Sequence, residues 1–580
     1  MATEEMRKTD WKGDAIIAVG VFGLALLTRL LFLLSSVDRA WPHSIWYEGD
    51  APTWVRWTQA LARGERFEFD LPLRTPGVAY LLHWLSLGGD PAGGEIGSPS
   101  FLWWKVLWCV MSAAACAVAY LGFRQAFSRR VSLVASALCV FSFGLYVIAT
   151  SLNNETPYML VLFTILWLTL RMMRGMSSSW TMAIVLAALH GAAMLLRAEH
   201  ALALLLLAAY MAIRAEPSVR ASVRRMAIIM ACGAVATCLP WSIRGSIAID
   251  RFNTQHEPLP AYEHAQPPWT DEARMMLDAL PAFARDGNFQ FITYIARQTG
   301  QTRITAEQVE AFFGDRFSYV PQPLSRFVFV SNKGALDFAL ANQIDRAHHG
   351  GFSRAALGGD QAEFAFANPD HLRLFNHGYS IGMMGIRDDL PGWLSLVSRK
   401  LQRFFDGVSL GLTARNLPIG TESTRYPVDL ATPRGGDRQV IVWRIIVFAM
   451  LLGGVVVFMV RRNELPRGAG IWLLIIAYKI TVTVLFYGYA RQAVSILPAF
   501  FVFMALAVDS LGGLRGIKGA FQSVNLKVVA ASILAAVLVI EVLAAVKPQL
   551  IEVRGSIQPA PQWGASAFEA FRQIELGRAE

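Results

Sequence analysis

The stretch Ala15-Ile16-Ile17-Ala18-Val19-Gly20-Val21-Phe22-Gly23-Leu24-Ala25-Leu26-Leu27-Thr28-Arg29-Leu30-Leu31-Phe32-Leu33-Leu34 carries one charge, Arg29, in an otherwise apolar run. A helix needs about 20 such residues to cross the hydrocarbon core of a bilayer. Lipid offers no partners to backbone amides, so a segment of this kind has to satisfy them internally, as a helix. Comparable runs follow at Trp103–Tyr120, Val131–Ile148, Pro157–Leu170, Trp180–Leu196, His200–Ile213 and Met226–Ile243. After a long gap come Val440–Val460, Ile471–Tyr487, Val494–Leu506 and Val528–Val546. The chain therefore reads as an all-α polytopic membrane protein of about eleven transmembrane helices.

Composition agrees. Of the 580 residues 54% are hydrophobic and 17% charged, well under the roughly 25% charge of soluble domains. The net charge of +10 is not a nucleic-acid signal, because the basic residues sit between apolar runs and not in a block with interleaved aromatics. They alternate. Arg124, Arg129 and Arg130, then Arg171 and Arg174, Arg214 to Arg225, Arg461 to Arg467, and Arg515 to Lys527 fall in every second short loop, which the positive-inside rule places in the cytoplasm. The N-terminus is then inside, and the first run is an uncleaved span, since no small-residue cleavage site follows it. The expected division is a membrane module over 1–243 with an outer loop at 37–102, an extracytoplasmic region at 244–439, further spans over 440–546 and an outer tail at 547–580. The five cysteines all lie within apolar runs without metal or redox spacing and read as small core residues.

Chemistry is sought on the outer side. The first outer loop contains Glu48-Gly49-Asp50-Ala51-Pro52. Asp50 could cap the helix that follows, since acids commonly precede a first turn containing Pro, or it could face a polar pocket. The second outer loop holds a single charge, Glu155, which suits a helix N-terminus; together the two acids suit base chemistry or a divalent metal such as Mg or Mn. Arg197 and Arg491 are the basic residues that break the charge rule in short outer loops. They suit a bidentate grip on phosphate, or simple pairing with Glu155, Glu199 or lipid headgroups. Arg29 and Arg444 lie near enough to the outer end of their spans to snorkel, whereas Lys479 is deep. His43, His256, His264, His348 and His349 lack zinc spacing, and no nucleotide-binding loop or Ser-nucleophile elbow is present.

The ordered set of motifs resembles the GT-C membrane glycosyltransferases, in the branch of protein O-mannosyltransferases and lipid A aminoarabinose transferases. It comprises Arg29 in the first span, Asp50 with Trp54, and Arg74-Thr75-Pro76-Gly77 with Tyr80. Glu155, Arg197, Pro240-Trp241-Ser242-Ile243-Arg244, Tyr489-Ala490-Arg491 and Pro498 follow in order. The resemblance implies a GT-C-like bundle with outer-face juxtamembrane helices and a large extracytoplasmic region. It implies a polyprenyl-phosphate sugar donor, a lipid, glycan or protein acceptor, and action at the outer face of the cytoplasmic membrane. It implies Asp50 as catalytic base with Glu155 shaping the site, although Glu48, two residues earlier, leaves the identity of the base open. Arg74, Arg197, Arg244, Tyr489, Arg491 and Lys479 become candidates for holding phosphate or substrate, and Asn342, in the stretch 332–352, for a donor or acceptor loop. An O-antigen polymerase or ligase type of enzyme places its key loop late in the chain, which the early acidic loop argues against; a flippase or transporter has paired halves with broken helices and midplane charges, whereas here the charges gather at one face with Lys479 the only deep exception.

Overall fold

The computed structural model describes residues 11–34, 46–47, 51–64, 72–86, 99–176, 179–255, 269–278, 303–309, 324–342, 369–409, 419–420 and 438–512. The expected span Val528–Val546, the tail after it, and the candidate acids Glu48 and Asp50 lie outside the described residues.

The described chain is almost wholly helical. α1 (Trp11–Leu34) packs on α4 (Pro99–Arg124), with two short helices, α2 (Ala51–Ala62) and α3 (Gly77–Leu85), between them in sequence. α5 (Arg129–Val140) and α6 (Phe143–Thr150) follow one another with a bend of 52° between them. α7 (Glu155–Met173), α8 (Trp180–Leu196), α9 (His200–Arg214) and the long α10 (Arg220–Gln255) complete the N-terminal block. Among the described residues six helices are long and apolar enough to cross a membrane, seven with the bent pair, and Trp180–Leu196, His200–Arg214 and Leu497–Ser510 are shorter apolar helices. The chain is a multi-pass membrane protein.

Local sequence sets the boundaries. Ser128 and Ser179 each accept a bond from the amide three residues on, at 3.3 Å, capping α5 and α8. In lipid the hydrophobic effect does not drive helices together, so close packing depends on small residues. Gly191 of α8 lies against Thr237 of α10, and Gly233 against Ala187, so the two backbones approach closely.

The later elements are α11 (Asp271–Asp278), α12 (Lys333–Ala341), α13 (Pro369–Asp388) and α14 (Leu390–Ser409), followed by α15 (Arg438–Val460), α16 (Ile471–Leu485), the short α17 (Ala490–Val494) and α18 (Leu497–Gly512). Gly454 of α15 faces the Phe503 carbonyl of α18, where any Cβ would collide. The one small sheet among the described residues pairs β1 (Trp46–Tyr47) antiparallel with β2 (Ile419–Gly420), Trp46 opposite Gly420. Thus the segment between α1 and α2 touches the 244–439 region.

The 244–439 region is also tied to the bundle. Trp241 Nε1 donates to the Val330 carbonyl at 2.8 Å, and the Asn332 amide to the Pro72 carbonyl at 3.0 Å.

One expectation about intramembrane charge needs correction. Arg29 does not snorkel; it is fully buried. Its Nε donates to Ser112 Oγ at 2.8 Å, Nη1 to the Ala25 carbonyl at 3.0 Å, and Nη2 to the Cys139 carbonyl at 3.3 Å. Breaking a span at residues 141–142 leaves carbonyls at the end of α5 without helical partners, and the guanidinium supplies donors there. Arg444 pairs with Asp406 of α14, so its charge is met by protein.

Candidate active site at one end of the bundle

The site is assembled from helix ends. Glu155 is the first residue of α7, and the loop before it is fixed by Asn153, whose Oδ1 accepts from the Thr156 amide at 2.9 Å and whose carbonyl accepts from Trp108 Nε1 at 3.0 Å. Arg197 is the C-cap of α8, the end at which a cation meets unsatisfied carbonyls. The end of α8 is also where the segment 72–77 docks. Thr75 Oγ1 donates to the Leu196 carbonyl at 2.8 Å, and Gly77 packs so tightly that a Cβ would sit 2.7 Å from the Leu195 oxygen.

These ends bring together charges from distant parts of the sequence. Arg197 Nη1 donates to Glu155 Oε1 at 2.6 Å, its Nε to Glu199 Oε1 at 3.0 Å, and its Nη2 to Gln492 Oε1 at 3.0 Å. Lys479, fully buried on α16, pairs with Glu199 and donates to Gln492 Oε1 at 3.0 Å. Arg491 Nε lies 3.7 Å from Glu155 Oε1. Glu155 therefore stands between two guanidinium groups, and within the cluster three cations face two carboxylates.

The electrostatics follow from burial and neighbours. Burial alone disfavours the charged form of Arg197, but Glu199 and Glu155 reverse that and hold its pKa above the ordinary value. Burial likewise opposes ionisation of Glu199, and the Arg197 and Lys479 charges overcome it, keeping its pKa well below the usual carboxylate range. Arg197 and Glu199 thus hold each other ionised.

Beneath it runs a chain of hydrogen bonds. Tyr158, under both Arg197 and Lys479, contacts His200 Nδ1 at 3.0 Å, and His200 Nε2 contacts His190 Nδ1 at 2.9 Å. Gln492, Tyr158, His190 and His200 were not candidates on sequence. Gln492 adjoins a charge-rule-breaking arginine, and the two histidines lie in or at the end of apolar helices; those were the available signals.

Of the other candidates, Arg74 is half-buried in the docked segment 72–76. Arg244 stacks on Trp241, 4.5 Å from its ring centre, and the adjoining Gly245 packs against Pro72. Tyr489 lies under Arg491 at 5.3 Å and beside Tyr487 at 5.6 Å. Asn342 belongs to a different knot. It is fully buried, donates to the Phe338 and Leu485 carbonyls at 2.9 Å each, and accepts from Trp393 Nε1 at 2.9 Å and Lys400 Nζ at 3.2 Å. These bonds fasten α12 to α14 and α16.

Among the described residues no group of three His, Cys, Asp or Glu side chains could hold a metal ion; the Glu155 carboxylate is engaged by two arginines, and Asp50, the other acid considered for a divalent cation, lies outside the described residues.

Searches of known proteins give three results. No curated protein matches the chain. Among solved structures, the oligosaccharyltransferase of Archaeoglobus fulgidus in its apo form is similar at a TM-score of 0.41 and 13% identity, covering 91% of this chain and 55% of that one. The oligosaccharyltransferase AglB of the same archaeon, in complex with an inhibitory peptide and a dolichol-phosphate, gives 0.42 and 13%, covering 96% and 59%. The chain thus spans less than two thirds of the length of these structures. Residues 99–243, the block from α4 to the middle of α10 that contains Glu155 and Arg197, match the family of dolichyl-phosphate-mannose-protein mannosyltransferases.

Proposed function

We propose that the chain is a glycosyltransferase that moves a sugar from a polyprenyl-phosphate donor to a lipid, glycan or protein acceptor at the outer face of the cytoplasmic membrane. The observation that carries this reading is the position of Glu155 between Arg197 and Arg491 at one end of the bundle, with Glu155 and Arg197 inside the segment 99–243 that matches a family of lipid-phosphate-sugar transferases.

In this reading the lipid tail of the donor stays in the bilayer and its phosphate reaches the cation-rich helix ends. Arg197 is the frame of the site, because its three donor nitrogens already have protein acceptors. Arg491, with the more exposed side chain (16% against 6%) and the longer contact to Glu155, is the group placed to exchange a carboxylate for a phosphate. Arg74 and Arg244 border the same segment and serve the donor or the acceptor.

Asp50 acts as base. It takes the proton of an acceptor hydroxyl or amine as that atom bonds to the anomeric carbon, and the bond from that carbon to the phosphate oxygen breaks. One displacement inverts the centre. Preorganised cations that meet the charge developing on the leaving phosphate contribute a few kcal/mol each.

The test is release of free polyprenyl phosphate when purified protein meets labelled polyprenyl-phosphate sugar and a cell-envelope acceptor fraction. Turnover in the wild type and its loss in folded Asp50→Asn is the expected result. Full activity in Asp50→Asn removes that residue from the role. Absence of turnover with every lipid-phosphate sugar, while the protein remains folded, removes the reading.

A further inference from the structure

We propose that the end of the bundle opposite the acid and arginine cluster holds a binding site for one anionic phospholipid. A cavity of about 420 Å³ opens there between the end of α9, the end of α15 and the turn that leads into α16. Arg214, Arg462 and Arg467 reach it from those three elements, together with Tyr210, and no carboxylate is among the described residues that line it. The remaining wall is apolar, and Ile213 and Met459 extend it outward, 66% and 48% exposed.

The bland account is that arginines in such loops only report topology. All three arginines are exposed, as that account expects; it does not account for their lining one concave, partly apolar space. The wall is also built. Tyr210 donates from its hydroxyl to the Arg467 carbonyl at 3.0 Å, and Gly470 lies so near that a Cβ there would be 2.7 Å from that hydroxyl. A cationic floor with an apolar flank open to the surrounding lipid matches a phosphate headgroup carrying acyl chains, the pattern of basic pockets between transmembrane helices. A free anion would leave the apolar flank unused. The cavity is separate from the proposed reaction site. Along α16, Gly470 and Lys479 are about 14 Å apart at 1.5 Å per residue, so the lipid claim stands or falls independently of the glycosyltransfer claim.

The experiment is native mass spectrometry of the purified full chain, exchanged against an equimolar mixture of phosphatidylglycerol and phosphatidylcholine. One retained phosphatidylglycerol per chain is expected, and the preference should weaken as ionic strength rises. Each arginine near an anionic headgroup is worth roughly a fivefold preference, so Arg214→Gln with Arg462→Gln should reduce it on the order of 30-fold. Arg462→Lys should keep most of it. Gel filtration establishes that the variants are folded; if the double variant is not, the salt series on the wild type decides. Equal retention of the two lipids, a preference indifferent to salt, or displacement of the lipid by millimolar inorganic phosphate would overturn the proposal.

Discussion

Arg197 closes a triangle with Glu155: one guanidinium nitrogen meets that carboxylate at 2.6 Å while the other two hold Glu199 and Gln492. The contact joins the end of α8 to the start of α7 and, through Gln492, to α17. Removing one partner of a buried pair leaves the other charge stranded, at a cost of about 3–5 kcal/mol. Arg197→Ala should therefore lower the thermal midpoint in detergent markedly. Arg491→Gln, at a more exposed side chain, should cost much less stability and chiefly raise KM for the lipid donor. Equal thermal losses in the two variants would contradict the division into frame and ligand.

Gly77 offers a second test. A Cβ there would approach the Leu195 oxygen to 2.7 Å, pushing the segment 72–77 away from the end of α8. Overpacking of this kind costs about 1–3 kcal/mol, small for a large membrane protein. Gly77→Ala is expected to keep a folded chain by gel filtration but to reduce turnover, since Thr75 and Arg74 move with the backbone. Wild-type turnover would show that the docking of this segment is not needed for the reaction.

Much of this could be read in the sequence, and the remainder is long-range. Most of the expected spans in the described residues coincide with one helix, because length and apolarity are local properties, but Val131–Ile148 is broken into α5 and α6 and Val494–Leu506 crosses the break before α18. Arg197 and Arg491 stood out because they violate the charge pattern of the loops. Gln492 and His200 did not, since a neutral amide or a histidine in an apolar context has a dozen ordinary uses. Arg29 was misjudged in depth for a related reason. Distance along one helix said that it could reach the surface, but its partners Ser112, Cys116 and Cys139 sit on other helices, and the bend that makes them available is invisible to periodicity.

That same Arg29 yields a third prediction. Its Nη2 and Nη1 serve the Cys139 and Val140 carbonyls at 3.3 and 3.5 Å. Arg29→Met fills the space but removes the donors, and an unsatisfied buried polar group costs about 1–3 kcal/mol. The variant should lose detergent-stable protein. Arg29→Lys, with a compact ammonium in place of a fork, should recover only part of it. A thermal melt of Arg29→Met identical to that of the wild type would refute the role of the guanidinium in supporting the α5–α6 bend.

The fourth prediction concerns pH and Lys400 on α14. Burial pushes its pKa down from 10.5 to about 7, and its Nζ donates to Asn342 Oδ1 at 3.2 Å and to the Val484 carbonyl at 3.1 Å. Unfolded chain keeps the ordinary lysine value, so between about pH 7 and 10.5 the unfolded state binds the extra proton and stability rises with pH. Below pH 7 the lysine is charged in both states, and the cost of burying that charge is fully present. Lys400→Met removes this contribution and loses the two hydrogen bonds at every pH. The difference in thermal midpoint between wild type and variant should therefore move in favour of the wild type on going from pH 7 to pH 10. A difference that stays flat over that range would mean that Lys400 remains protonated in the fold, held by its two carbonyl acceptors against the cost of burial.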